Sequence, residues 1–370
     1  MAARLGPPPG GREPQARTPR QLAWRQLRRH RMALLGGAIV AALYAVSLVA
    51  EFLAPYSLDF TDRSRFYHPP TVPRWVDERG RLVWPYVYGT RLADPATRRY
   101  EVVPTEKYPI RLFVRGEPYR LLFLFPTDVH LFGVDPPGRI FLLGTDPFGR
   151  DVLSRTLIAS RFSLFLGVLA VAVSLPVGTL YGAVAGYFGG QVDNLLMRVA
   201  EVVIAFPEFY LLLALAAVLP PELPSTTRLG LIVVIISFLG WGGLARLVRG
   251  YVLALRAQEY VLAARAAGAD SPYILIRHVL PNTSTLLVIV ATLSIPGAIL
   301  AESALSFFGL GVREPQASWG QLLNAVNNLT TLTQAPWLLW PGAFIVVAVV
   351  GFNLFGDGLR DALDPRMRTG

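Results

Sequence analysis

Six apolar runs, each close to the length that crosses a bilayer, decide most of what this chain can become. They are Met32–Ala50, Phe162–Gly190, Met197–Leu219, Leu229–Ala245, Ser284–Ala301 and Trp337–Phe355. A helix of about 20 apolar residues spans the roughly 30 Å hydrocarbon core. In lipid every backbone polar group must be paired inside the protein, which a helix achieves alone. The expected fold is therefore an all-α polytopic membrane protein with six transmembrane helices. Pro176 and Pro296 lie inside two of the runs and predict kinks there. With 53% hydrophobic and 16% charged residues, the chain is too apolar for an ordinary soluble domain. It contains no Cys, which excludes disulfides and thiolate chemistry, and His30, His68, His130 and His278 show no metal-ligand spacing.

Charge sets the expected orientation. The formal net charge is +10, and its Arg lie mainly in the N-terminal tail and between the runs. That placement suits membrane topology and anionic headgroups better than nucleic acid, which is not an expected partner. Residues 1–31 carry eight Arg against Glu13 alone and read as a basic cytoplasmic tail. Its end, Trp24–Arg29, reads as an amphipathic lead-in on the inner face. A signal peptide is the competing reading, but the 19 uncharged residues from Met32 exceed the usual apolar region of one. Residues 32–51 are taken as the first transmembrane helix. Residues 162–356 then form a five-helix core whose basic loop, 248–283, is cytoplasmic, and 357–370 a cytoplasmic C-terminal tail. Trp337 and Trp340 suit an aromatic belt at the outer interface.

Residues 52–161 hold no spanning run and read as a small β-rich external insert between spans 1 and 2. Strand-like runs are Arg81–Tyr88, Tyr108–Val114, Tyr119–Phe125 and Arg139–Leu143. A hairpin is expected to turn at Gly116-Glu117-Pro118. The insert is either a binding element or a lipid-proximal loop with no binding role. It ends in Gly144-Thr-Asp-Pro-Phe-Gly-Arg-Asp151, whose glycines and alternating charges predict a tight turn held by charge-assisted pairs. This is no phosphate loop, because no Gly-Lys-Ser/Thr follows and the single Lys is Lys107.

The segment Glu259–Asn282 predicts helix, break, helix. Ala263, Ala264, Ala266 and Ala267 favour a helix that Gly268 stops in a left-handed conformation. Asp270 or Ser271 then caps a second helix with Pro272 at its start, and Leu280-Pro281 closes it. Arg246, Arg249, Arg256, Arg265 and Arg277 outweigh Glu259 and Asp270, which keeps the segment in the cytoplasm. Acids in apolar runs are functional candidates. Glu201 has Arg198 one turn back. Glu208, beside Pro207, is a candidate for the translocation path. Glu302 either faces that path or braces the loop after it.

In the same segment, Ala263, Ala264, Gly268, Leu280 and Pro281 match the EAA motif of binding-protein-dependent ABC importer permeases, with Leu262 in place of its Glu and His278 in place of its Ile. The chain resembles the dipeptide/oligopeptide branch of that family. Three further stretches are similar to the branch in the same order: Gly144–Arg155, Glu302–Gly311 with Ser318-Trp-Gly320, and Asn353–Arg366. The tail and the insert up to Leu143 lie largely outside the resemblance. It implies a type I permease fold in a prokaryotic inner membrane. The implied partners are a homologous second permease subunit, two cytoplasmic ABC ATPase subunits that hold ATP and Mg, and an external solute-binding protein. The chain itself would have no cofactor and no catalytic site. Glu259, Tyr260, Ala263, Ala264, Arg265, Gly268, Leu280 and Pro281 would form the ATPase-coupling surface. The implied solute is a di- or oligopeptide, with nickel complexes, sugars and peptide antibiotics among those of relatives. An ion-coupled secondary transporter or channel using Glu208 and Glu302 is the alternative, although no inverted repeat is evident. A membrane-anchored receptor would need only one span.

Overall fold

The computed structural model describes residues 19–95 and 97–363; most of the basic tail and the end of the C-terminal tail lie outside them. Helices α1 (Pro19–Arg29), α2 (Arg31–Leu48) and α3 (Ala50–Leu53) lead into an insert with strands β1 (Arg74–Val76), β2 (Leu82–Asp94), β3 (Arg99–Pro109), β4 (Arg111–Leu121) and β5 (Phe125–Gly133). The chain continues through α4 (Val152–Phe188), α5 (Gly190–Ala205), α6 (Glu208–Ala217), α7 (Ser225–Leu255), α8 (Glu259–Ala266) and α9 (Ser271–Ile274). A π turn over Leu275–Val279 joins α9 to α10 (Leu280–Phe307), and α11 (Trp319–Leu323), α12 (Leu329–Gln334) and α13 (Trp340–Leu363) complete it.

Among the described residues five helices are long and apolar enough to cross a membrane, and a bent pair makes six if counted as one span. That pair corrects the reading of Met197–Leu219 as a continuous helix. The chain breaks at Phe206-Pro207, and α5 and α6 meet at 79°. Pro207 cannot donate the hydrogen bond that would carry the helix on, and it biases Phe206 to extended backbone. Pro176, by contrast, sits inside α4 without ending it.

Helix α4 starts at Val152, upstream of the Phe162 read from sequence, because the Asp151 carboxylate accepts the Ser154 N–H at 2.8 Å and caps it. Such a cap is worth about 1 kcal/mol. At 37 residues α4 is about 55 Å long, more than the hydrocarbon needs. Its partner is α7, and the two run in the same direction. Gly178, Gly182 and Gly186 form a stripe on α4 that lets the backbones close: a Cβ on Gly182 would stand 2.2 Å from the Ala245 carbonyl oxygen. Close packing of small residues replaces the hydrophobic drive that helices lack in lipid. Helices α2 and α13 pack antiparallel by the same device, with Gly36 against Gly351 and Phe355, and Gly358 against Ala33.

The insert forms a three-stranded antiparallel sheet, β1-β2-β3, and a two-stranded one, β4-β5. Val87, Val134 and Ile140 make its small core. The expected turn at Gly116-Glu117-Pro118 is a bulge inside β4, where the register shifts between Arg115 and Tyr119. The hairpin instead turns at Leu122–Leu124, and Leu121 pairs with Phe125. Arg139–Leu143 forms no strand, and Tyr108–Val114 is divided between β3 and β4 at Ile110.

Candidate coupling site and passage

The segment from Glu259 to Asn282 begins with α8, which ends as its residues direct. Gly268 has φ +84°, its N–H reaches the Arg265 carbonyl at 3.0 Å, and the Ala269 N–H reaches Ala264 at 3.1 Å. Asp270 caps α9 by accepting the Tyr273 N–H at 3.0 Å, with Pro272 in the first turn. The second helix does not close at Pro281. Through the π turn, in which Leu280 N–H bonds the Leu275 carbonyl, it continues into α10 as one 37-residue helix. The wider turn absorbs the N–H that Pro281 lacks and the clash its ring would make with the preceding turn.

One side of this loop is anchored and the other is bare. Val261, Ile274 and Val279 are buried with Tyr187 of α4 and Val248 and Val252 of α7. Tyr260 accepts from Asn282 Nδ2 at 3.3 Å, which ties the start of α8 to the residue after Pro281. Arg265 lies over the Tyr187 ring, 5.7 Å from its centre. Arg256 donates to the Gly186 and Tyr187 carbonyls at 3.2 Å, satisfying the end of α4 where the helix dipole favours a cation. Arg249 holds Asp193 in a two-bonded pair at 2.5 Å. Glu259, Tyr260, Leu262, Ala263, Ala266, Ala267 and Pro281 are exposed, while Ala264 and Leu280 are partly buried. The loop therefore presents an exposed face that is small at Ala263, Ala266 and Ala267, and it is packed on its other side against α4 and α7.

The acids separate. Glu208, exposed at the start of α6, lines a cavity of about 230 Å³ with Ser174 of α4, Gly240 of α7 and Ser294 and Gly297 of α10. Glu302 is fully buried and accepts from Ser306 Oγ at 2.6 Å; that same Oγ accepts the Val312 N–H at 3.0 Å. This geometry ties the end of α10 to the loop that follows it. Glu201 pairs with Arg198 at 3.3 Å on the surface.

At the other end of α4 the Gly144–Asp151 turn is held as its charges suggest. Asp146 accepts the Phe148 and Arg150 N–H groups at 2.8 and 3.0 Å and pairs with Arg150 Nε at 2.6 Å. Sequence reasoning missed its hub, Glu314, whose Oε1 accepts from Arg150, Arg155 and Gln321 at 2.9, 2.8 and 3.1 Å. Nothing local marks this residue. Burial pushes the Asp151 carboxyl up to about 7 despite the Ser154 bonds it accepts. Trp337 Nε1–H donates to the Thr145 carbonyl at 3.0 Å and ties the start of the last span to this turn. A larger cavity of about 860 Å³ opens between insert and bundle, walled by Phe162, Phe165 and Leu169 of α4 and Leu229 and Val233 of α7. Lys107 is exposed on β3 and pairs with Glu78 at 2.8 Å.

Two family descriptions match the chain. Residues 178–369 match the inner membrane component of binding-protein-dependent transport systems, and residues 18–70 match the N-terminal transmembrane domain of oligopeptide transport permease C. The second match extends the likeness to the first span, which the motifs alone left outside. The oligopeptide transport system permease protein OppC of Bacillus subtilis is 42% identical over 245 residues, 66% of this chain and 74% of that protein. The dipeptide transport system permease protein DppC of the same organism is 33% identical over 350 residues, 94% and 86% of the two chains. OppC of Haemophilus influenzae is 39% identical over 240 residues, 65% and 71%. With its helical bundle, its interrupted loop and these likenesses together, the chain belongs to the binding-protein-dependent transport permeases, the membrane-spanning components of ABC importers.

Proposed function

We infer that this chain carries di- or oligopeptides across a prokaryotic inner membrane as one of two homologous permease subunits. Two separate ATPase subunits, which would bind ATP and Mg, drive it from the cytoplasm, and an external binding protein delivers the solute. Both termini and the loop 248–283 lie in the cytoplasm. The observation that carries the reading is the α8–Gly268–α9 loop, bare on one side and locked on the other to α4, α7 and α10. The names of the relatives supply the peptide. Glu259, Tyr260, Ala263, Ala264, Arg265, Gly268, Leu280 and Pro281 couple the ATPases to the bundle by biasing a two-state arrangement of the helices. Glu208 lines the passage. The alternative, an ion-coupled transporter or channel, would use Glu208 and Glu302, and Glu302 is buried and bonded to Ser306.

The test is purification of the complex with its binding protein and mass spectrometry of the co-purified solute. Peptides are expected, and a sugar or metal complex would overturn the solute class. A single Cys at Leu82, 86% exposed on β2, should react with an impermeant thiol reagent from outside the cell. Reaction only from the cytoplasmic side would invert the topology.

A further inference from the structure

The β4–β5 hairpin ends in four consecutive apolar residues, Leu122-Phe-Leu-Phe125, each between 40% and 72% exposed. Leu122 and Phe123 hold φ of +52° and +64°, conformations that bulky residues avoid unless the turn serves a purpose. The hairpin does not project freely. His130 bonds the Ala54 carbonyl at 2.6 Å and fixes β5 to the end of α3, and Phe113 lies 6.3 Å from Phe52. Further along, Phe123 sits 4.6 Å over the guanidinium of Arg161. Arg161 in turn donates to the carbonyls of Ser47 and Leu48, the last residues of the first span, and pairs with Glu51. The tip therefore stands level with the end of an apolar transmembrane helix and beside Phe162, where the uncharged part of α4 begins.

We propose that Leu122–Phe125 is an interfacial lipid anchor: the hairpin tip dips into the headgroup and upper acyl region of the leaflet at the insert end of the bundle. Three observations select lipid over a protein partner. The tip adjoins exposed apolar residues near the insert end of α2 and α4, Leu48, Phe165 and Leu169, at the end of the first span, where aromatic side chains concentrate in membrane proteins. Two of its backbone N–H groups are paired locally, Phe123 N–H on the Arg120 carbonyl at 3.2 Å and Leu124 N–H on Leu121 at 3.1 Å, which lowers the cost of immersion. Arg120, exposed and without a carboxylate partner among the described residues, precedes the tip, where it can reach a lipid phosphate. The anchor rests on the membrane-spanning fold and not on the solute carried. It would hold the insert at a fixed height over the large cavity, which Phe123 helps to line.

The chain has no Cys, so a single one reports cleanly. Leu124→Cys and, as the water-facing control, Leu82→Cys are labelled with a nitrobenzoxadiazole fluorophore in the complex with its partner subunits, in nanodiscs. Wild-type complex carried through the same labelling sets the background. Expected at position 124 are a blue-shifted emission, quenching by lipids spin-labelled near the headgroup, and iodide quenching several-fold weaker than at position 82. Strong iodide quenching without lipid quenching would show a tip in water. Protection from both quenchers would show a tip covered by protein. Either result overturns the anchor and leaves the transport reading standing, since no step of the measurement depends on transport. Phe125→Cys repeats the test should Leu124→Cys not assemble.

Discussion

Replacing Gly268 with Val isolates a single backbone property. Nothing stands within 4 Å of where its Cβ would go, so packing contributes no cost. The whole penalty comes from φ +84°, which an L-residue holds at about 1–2 kcal/mol and a β-branched one at the upper end. If the residue instead leaves that region, α9 is re-aimed and the bonds from Ala269 to Ala264 and from Gly268 to Arg265 are lost, at about 0.5–1.5 kcal/mol each. The strain alone lowers the native loop relative to the re-aimed one by roughly 5- to 30-fold. Gly268→Asn should cost least, since Asn tolerates the left-handed region, with Ala between it and Val. In reconstituted complexes with subunit stoichiometry checked, solute-stimulated ATPase activity and transport should fall in the order Gly, Asn, Ala, Val. Wild-type stimulation and transport in Gly268→Val, with full ATPase subunit occupancy, would refute both the strain argument and the coupling role.

Glu208→Gln should alter transport kinetics while assembly and basal ATPase activity stay near wild type; unchanged kinetics would remove Glu208 from the passage. Asp151, whose carboxyl burial raises to about 7, binds its proton more tightly folded than unfolded. Its contribution to stability is therefore complete below the ordinary carboxylate range and lost as pH rises through about 7. The thermal unfolding midpoint of wild type should drop between about pH 4 and pH 7 relative to Asp151→Asn, which keeps a capping oxygen and should show a flatter profile. Gly182→Val drives a side chain into the Ala245 backbone and should destabilise the bundle by about 1–3 kcal/mol or more, read as loss of monodisperse protein in detergent. Gly243→Val, where nothing lies within 4 Å, is its control.

What could be read from sequence is what short-range chemistry decides. Apolar length gives the spans, since lipid admits few alternatives. Gly268 and Asp270 carry their conformations in their own side chains or lack of one, and both behave as read. Pro207 was visible inside the third run, yet whether a proline kinks a helix or ends it depends on neighbours: Pro176 is carried through and Pro207 is not. The same holds at Pro281, where a π turn lets the helix proceed. Gly116-Glu117-Pro118 has turn chemistry, but pairing with β5 makes it a bulge and moves the turn to residues with no turn signal. Glu314 is invisible because Arg150 and Arg155 lie more than 150 residues away. The stripe Gly178, Gly182, Gly186 is plain in the sequence, but its partner is not.

The continuous helix from Ser271 to Phe307 has a mechanical consequence. At 37 residues it is a strut about 55 Å long, with the small-residue loop at one tip and the Glu302–Ser306–Val312 brace near the other. Leu293, close to its midpoint, packs against Gly356 of α13 and offers a pivot. If the strut turns about that point as one body, a sideways displacement of the loop would reach the braced end with opposite sign.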